Sequence, residues 1–315
     1  MTLPPPVAGT RARAIKFGLK AAFFGLFLAK KIGLLLELFN NPVSRAFGFI
    51  TTKDQVLLLS GGNDEIFVVS SSDKEIGLSV YSRQQPYDFK KFDQVMSILG
   101  GTHKRKLLID IGGNIGTICI PAVKRGYFES AITFEPEPQN FDLLSANIHL
   151  NHLASKITAH QIALSNQLNK TLSFELSAFN LGDHRIRVKS DQGIFDEENR
   201  KVIEIKSTTF DSMFDNIIAD ETLIWIDTQG YEGQVLSAAK NALAKRTPIC
   251  LEFGPYYINR CNGYDLLKLA LLENGYEWYF DLNDGAIRKN LTSTAFDELY
   301  ARYKPVGMYT DILVL

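Results

Sequence analysis

The chain has only three cysteines, Cys119, Cys250 and Cys261, and no two of them stand at a C-x-x-C spacing. An odd number, with two lying inside apolar runs, argues against a disulfide framework and reads as small core side chains in a reducing compartment. The five histidines are scattered, so no ligand cluster points to a metal, and no metal site is assigned, though a divalent ion stays open. Long uncharged runs are also missing. The most apolar stretch, residues 11–39, is interrupted by Lys20, Lys30 and Lys31 before it reaches the roughly 20 residues a membrane-spanning helix needs. It lacks the small-residue cleavage site of a signal peptide as well. Basic patches of the kind that bind nucleic acid are absent outside the first 50 residues, so nucleic acid is not an expected partner.

What is present is unevenly distributed. Residues 1–50 carry Arg11, Arg13, Lys16, Lys20, Lys30, Lys31 and Arg45 against Glu37 alone, a net charge of +6 on a chain whose total is −1. After a proline-rich start, 11–39 shows helical apolar spacing through Phe17, Phe23, Phe24, Phe27 and the leucines at 34–38. This segment either packs, on the body or on a second copy of the chain, or lies on an anionic membrane surface with its lysines at the headgroups. The expected location is cytoplasmic, with the inner face of the membrane as the alternative and a homo-oligomer left open.

Three parts follow from the pattern: a basic helical segment at 1–50, a lead-in at 51–105, and a core domain at 106–315. In the lead-in, residues 55–81 give three short apolar runs separated by Gly-Gly-Asn-Asp and Ser-Ser-Asp-Lys, which predicts a small antiparallel meander. A helix is predicted over 88–99. The core alternates strand and helix: strands at 107–111, 131–134, 157–164, 223–226, 248–253, 277–282 and 308–315, and helices at 138–150, 231–244 and 265–274. Between them, 171–206 holds two strands around a long polar excursion. A loop of that length inside a domain is usually functional or disordered.

The centre of this pattern is Leu107–Glu135. A buried strand ends in Asp110-Ile-Gly112-Gly113-Asn114-Ile-Gly116, and a second strand ends at Glu135. Open α/β sheets hold adenosine cofactors at such strand ends. A dinucleotide fingerprint needs glycine where Asn114 stands, so that the backbone can approach a pyrophosphate. A carboxylate at Asp110 beside a pyrophosphate is unfavourable, whereas beside an amine and a sulfonium it is favourable. The turn therefore selects S-adenosylmethionine over NAD. Glu135 can accept hydrogen bonds from both ribose hydroxyls.

The succession IDIGGNIG, FEPEP, NIHLNHL, ALSN, STTFDSMF, IDTQGYEGQVLSAA and LEFGP resembles the FkbM-type S-adenosylmethionine-dependent methyltransferases over residues 55–275. The resemblance implies a class I methyltransferase (Rossmann-like) α/β fold with a mostly parallel seven-stranded sheet. It also implies O-methylation of a hydroxyl, often a sugar's, on a glycan or secondary metabolite. Carried over by position, Asp110, Gly112, Gly113, Asn114 and Gly116 would face the methionine part, Glu135 the ribose, and Gln161 and Ile162 the adenine. Asp227, at the end of the fourth strand, would border the transferring methyl. The chain departs from the family at Pro121, which should kink the first helix, and at Thr228-Gln229-Gly230, where the family has V-E-G.

An alcohol that accepts a methyl group must lose its proton, so a base is needed within hydrogen-bond reach. The candidates are Asp227 first, then Glu232, which could instead serve its own helix dipole, and His184, with Glu252 and Asp183 nearby in the pattern. A lipid or protein acceptor and a non-catalytic scaffold of the same fold are the competing readings.

Overall fold

The computed structural model of the chain describes residues 42–51, 57–61, 64–101, 104–305 and 307–315. The basic segment at 11–39, with its choice between packing and a membrane, lies outside them. Among the described residues no helix is long and apolar enough to cross a membrane.

Helix α1 (Pro42–Thr51) leads into an antiparallel hairpin, β1 (Leu57–Gly61) and β2 (Ile66–Ser70). The third run of the expected meander is helix α2 (Ile76–Arg83) instead. Its residues Ile76, Leu78 and Val80 alternate as a strand would, but Ile76 and Val80 also share a helical face, and both are buried. Asp73 settles the choice, because its carboxylate accepts the N–H groups of Glu75 (3.1 Å) and Gly77 (2.8 Å) and so starts the helix. Helix α3 (Phe89–Ile98) follows with Phe89, Phe92, Val95 and Met96 buried, as its spacing predicts.

The core begins with β3 (Arg105–Ile111), α4 (Cys119–Lys124), β4 (Phe128–Phe134), α5 (Pro138–Leu150) and β5 (Ile157–His160). The predicted strand at 157–164 divides here. Its second half, β6 (Ala163–Leu164), joins β7 (Lys170–Leu176), β8 (Arg185–Ile186) and β9 (Lys201–Thr208) in a separate four-stranded sheet, order β6-β9-β7-β8. After α6 (Phe210–Met213) come β10 (Thr222–Ile226), α7 (Glu232–Ser237), α8 (Lys240–Ala244), β11 (Ile249–Phe253), α9 (Pro255–Arg260), α10 (Tyr264–Glu273), β12 (Trp278–Asp281), β13 (Arg288–Asn290), α11 (Ser293–Tyr303) and β14 (Thr310–Val314).

The main sheet runs β13-β12-β14-β11-β10-β3-β4-β5. Strands β11, β10, β3, β4 and β5 are parallel, whereas β14 lies antiparallel between β11 and β12. The short edge strand β13 is one more than the seven expected. Every residue of β10, β11 and β14 is buried, as a sheet covered on both faces requires. Side chains alternate between two cores: Ile109, Ile111, Ile224 and Ile226 fill one, and Leu108, Leu223, Trp225 and Cys250 the other. All three cysteines are free and buried.

Two further departures have local causes. The predicted helix at 231–244 breaks after Ser237 because Asp211, reaching over from α6, caps a new start through the N–H groups of Lys240 (3.0 Å) and Asn241 (3.1 Å). Pro121 does not kink a helix, because α4 begins only at Cys119 and Pro121 sits in its first turn, where an N–H has no helical partner.

The NIHLNHL run has a structural task. Asn147 and Asn151, one turn apart on α5, present their amides to the outer edge of β2. Asn147 accepts the N–H of Val68 (2.6 Å) and donates to its carbonyl (3.2 Å), and Asn151 does the same for Ile66 (3.0 and 2.7 Å). Two side-chain amides thus stand where a neighbouring strand would. Asn147 Nδ2 also donates to the Ile115 carbonyl (2.9 Å), tying the hairpin to the glycine turn. Asn147→Ala strands all three backbone groups of Val68 and Ile115, and is expected to cost about 2–3 kcal/mol, read as a lower midpoint in urea unfolding. A midpoint equal to wild type would show that water replaces the amide.

Candidate functional site

The carboxyl ends of β3, β4, β10 and β11 meet at one end of the sheet, and the glycine turn locks three of them together. Gly112 and Gly113 both donate to the Phe134 carbonyl (2.9 Å each), and Asp227 N–H donates to Ile111 (2.9 Å). Gly112 adopts φ +93, and a Cβ there would stand 1.8 Å from the Asp227 carbonyl oxygen. Asn114 takes the left-handed conformation (φ 46), which asparagine tolerates better than most residues. This geometry aims its N–H at Glu135 Oε2 (2.9 Å), while Glu137 N–H donates to Oε1 (2.8 Å). Burial pushes the Glu135 carboxyl up to about 8, against the pull of those two donors. Asp110 lies beneath the turn, 1 % exposed, accepting from Thr133 Oγ1 (3.2 Å). Burial raises its carboxyl to about 6.

Two cavities open beside this junction. A narrow, mostly apolar crevice is lined by Gly112, Phe134, Pro136, Ile162, Ala163 and Thr228. Ile162 is part of its wall, whereas the Gln161 side chain is exposed and does not line it. The second cavity, of about 360 Å³, holds Asp227, Gln229 and Glu252 together with Lys91 and Asp311, walled by Tyr87, Phe179, Phe195, Tyr257 and Tyr309. Asp110, Glu135 and Glu232 line neither one.

Among the sequence candidates for a base, Asp227, Glu252 and Asp183 line this space, but Asp183 is held by Arg185 and Arg200, which leaves Asp227 and Glu252 as the two without an ion-pair partner among the described residues. Burial raises both carboxyls, Asp227 to about 7. Glu232, fully buried, instead accepts from Thr228 N (3.0 Å), Thr228 Oγ1 (2.9 Å) and Gly230 N (3.2 Å), so it holds the Thr228–Gly230 turn in shape. His184 takes up a post different from the one expected. Its Nδ1 accepts the Ser177 N–H (2.9 Å), so a neutral ring carries its hydrogen on Nε2 and has no free lone pair for a proton. Burial and the neighbouring Arg200 push its pKa down to about 4, which keeps it neutral, and it lines the apolar crevice and a further cavity beside Ser177 and Leu181, not the cavity of Asp227.

The polar excursion is ordered. The Leu181 carbonyl accepts from the Asn114 (3.1 Å) and Asn140 (2.9 Å) amides, and Phe179 O from Lys74 N–H (2.7 Å), so residues 177–183 lie across the mouth of the glycine turn. Behind them Arg185, 2 % exposed, is packed among Asp183, Glu175 and Glu197, with its guanidinium 4.7 Å from the Tyr257 ring. Arg200 completes the group on Asp183 (2.5 Å). Charges buried this deeply persist only when paired. The pairing accounts for Asp183, which the sequence had offered as a candidate base.

Sequence reasoning missed Gln229, Lys91 and Asp311. The signal for Gln229 was visible as the departure from V-E-G. Lys91 gave none: its i,i+3 neighbour Asp88 (2.9 Å) makes an ordinary local helix pair, and Asp311 (2.6 Å) joins it only in the folded chain. Among the described residues, no three histidine, cysteine, aspartate or glutamate side chains converge as metal ligands.

Comparison with known proteins gives one family match: the model of the methyltransferase FkbM domain covers residues 110–291. Similar solved structures include a methyltransferase FkbM from Methylobacillus flagellatus, at 16 % identity and a TM-score of 0.41, covering 76 % of this chain and 52 % of that one, so the chain spans about half its length. TYW2 of Pyrococcus horikoshii, in complex with MeSAdo, aligns at 13 % identity and a TM-score of 0.41, over 84 % of this chain and 72 % of that one. TYW2 of M. jannaschii, in complex with AdoMet, aligns at 11 % identity and 0.39, over 84 % and 86 %. No curated protein matches the chain.

Proposed function

The chain belongs to the FkbM methyltransferase family, and from that premise we propose that it methylates a hydroxyl of a sugar held in the 360 Å³ cavity. As a family member it is an S-adenosylmethionine-dependent enzyme of the class I methyltransferase fold. The residues at the glycine turn suit that cofactor. Glu135 uses one lone pair of each oxygen on a backbone N–H, and in its ionised form a carboxylate has about four such sites, so two remain for a ribose diol. The apolar crevice walled by Phe134, Pro136 and Ile162 suits an adenine ring. No lysine or arginine lines that crevice to receive a pyrophosphate.

When bound, S-adenosylmethionine supplies a methyl group already activated on a sulfonium. The chain's own residues then have two tasks, positioning and proton removal. The observation that carries the sugar reading is the make-up of the larger cavity: five aromatic side chains around Asp227 and Glu252, which form no ion pair among the described residues, while the other lining carboxylates Asp88, Asp183 and Asp311 are paired with Lys91, Arg185 or Arg200. Aromatic faces accept the C–H faces of a pyranose, and carboxylates accept its hydroxyl hydrogens. Asp227, at the tip of β10, is the base that takes the proton of the reacting hydroxyl.

The test uses methyl-labelled cofactor with a panel of mono- and oligosaccharides and with fractions of a cell lysate. Label is expected in the carbohydrate fraction. Because burial raises the Asp227 carboxyl to about 7 and only its ionised form can take a proton, the rate is expected to climb as pH rises through about 7. Label confined to lipid or protein overturns the sugar reading, and a rate flat from pH 5 to 9 removes Asp227 as the base.

A further inference from the structure

We propose that Gln229 makes a proton-sharing pair of Asp227 and Glu252: its single amide nitrogen donates to both, so that Glu252 holds a proton while Asp227 stays free to receive the acceptor's. The proposal rests on the reading of Asp227 as the base and adds to it two residues, one that stores a proton and one that positions.

The geometry is specific. Gln229 Nε2 has two hydrogens, and they go to Asp227 Oδ1 (2.8 Å) and Glu252 Oε2 (3.0 Å). Among the described residues neither carboxylate forms an ion pair. The nearest cation of the group, Lys91 on α3, is already engaged by Asp311 and Asp88. Two carboxylates sharing one neutral donor, without a cation, cannot both be ionised at little cost. The other groups facing the pair deepen the effect. Asp311 lies opposite Glu252 in the β11–β14 register, Glu232 stands at the start of α7, and the hydroxyls of Tyr257 and Tyr309 share the cavity. Burial first, then Asp311 and Glu232, act on both carboxyls in the upward direction; Lys91 opposes them at both, and the Gln229 hydrogen bond opposes them at Asp227.

The backbone is arranged for this contact. Gln229 sits at φ 55, the left-handed conformation that a residue carrying a Cβ adopts only when its surroundings hold it there. The turn is held there by the three hydrogen bonds to Glu232 and by Gly230, whose missing side chain lets the Tyr257 backbone approach. A glutamate at 229, the residue type of V-E-G, would replace the shared donor with a third carboxylate. The proton step is then a single transfer, from the acceptor's hydroxyl oxygen to Asp227 as that oxygen gains its methyl group, while Glu252 keeps its own proton throughout.

The experiment is a ¹³C-carboxyl NMR titration of the full chain labelled at aspartate and glutamate, with signals assigned by Asp227→Asn and Glu252→Gln. Glu252 is expected to titrate above Asp227. Asp227→Asn, which removes the neighbouring charge without changing shape, is expected to lower the Glu252 midpoint by about one pH unit or more. Gln229→Leu is expected to raise the Asp227 midpoint by a similar amount, and Gln229→Glu gives the same reading should the leucine variant not fold. A Glu252 midpoint unmoved by Asp227→Asn, or an Asp227 midpoint unmoved by both Gln229 variants, overturns the pair. No acceptor enters the measurement, so an acceptor other than a sugar would leave its outcome unchanged.

Discussion

Asp227→Asn is expected to lower methyl transfer about a thousandfold while S-adenosylmethionine still binds, as a lost general base does. The substitution is conservative in shape. Asparagine keeps an oxygen where Asp227 Oδ1 accepts from Gln229 at 2.8 Å, so the Thr228–Gly230 turn has no reason to move. What disappears is the capacity to take a proton at the cavity wall. Methyl-labelled cofactor measures the rate and calorimetry the binding, and the two readouts separate a missing base from a collapsed site. The rise in rate through about pH 7 should vanish with the carboxyl. Activity within tenfold of wild type would show that methylation needs no base here, or that Glu252 serves alone.

The second large effect concerns the turn itself. Gly112→Ala is expected to destabilise the chain by about 4 kcal/mol or more, at the upper end of what single substitutions do. The added Cβ would stand 1.8 Å from the Asp227 carbonyl oxygen, and both partners are backbone. Neither can withdraw, because Gly112 N–H is committed to Phe134 and Asp227 N–H to Ile111. The ends of β3 and β10 would have to part, and cofactor binding should go with them. Gly126→Ala is the control. It has a similar positive φ of +83, but nothing lies within 4 Å of its missing Cβ. Only the conformational cost remains there, about 1 kcal/mol. Urea unfolding of the two variants side by side isolates the steric contribution, and equal losses would mean that the strand ends are not in contact.

The sequence was most legible where one element dictates its own form. The run from Leu107 to Glu135 and the helix at 138–150 were readable because period and punctuation agree. Legibility failed where a distant side chain decides. Asp73 turns an alternating run into α2, and Asp211 breaks a continuous apolar helix into two. His184 reads as a base from residue type alone, and only its contact with the Ser177 N–H shows that the needed nitrogen is occupied. In the larger cavity Asp227 and Gln229 are close in sequence, but Glu252, Lys91 and Asp311 arrive from other strands and helices, and no local pattern announces their meeting.

The asparagine pair on α5 has a bearing on self-association. An unpaired strand edge is a template on which another chain can add a strand. Because Asn147 and Asn151 occupy the N–H and carbonyl groups of Val68 and Ile66, the β2 side of the hairpin is closed to any such partner. Among the described residues β1 pairs with β2 alone, and its Leu57 and Leu59 are more than 60 % exposed. Growth of this two-stranded sheet, by another part of the chain or by another molecule, is therefore one-sided and confined to β1.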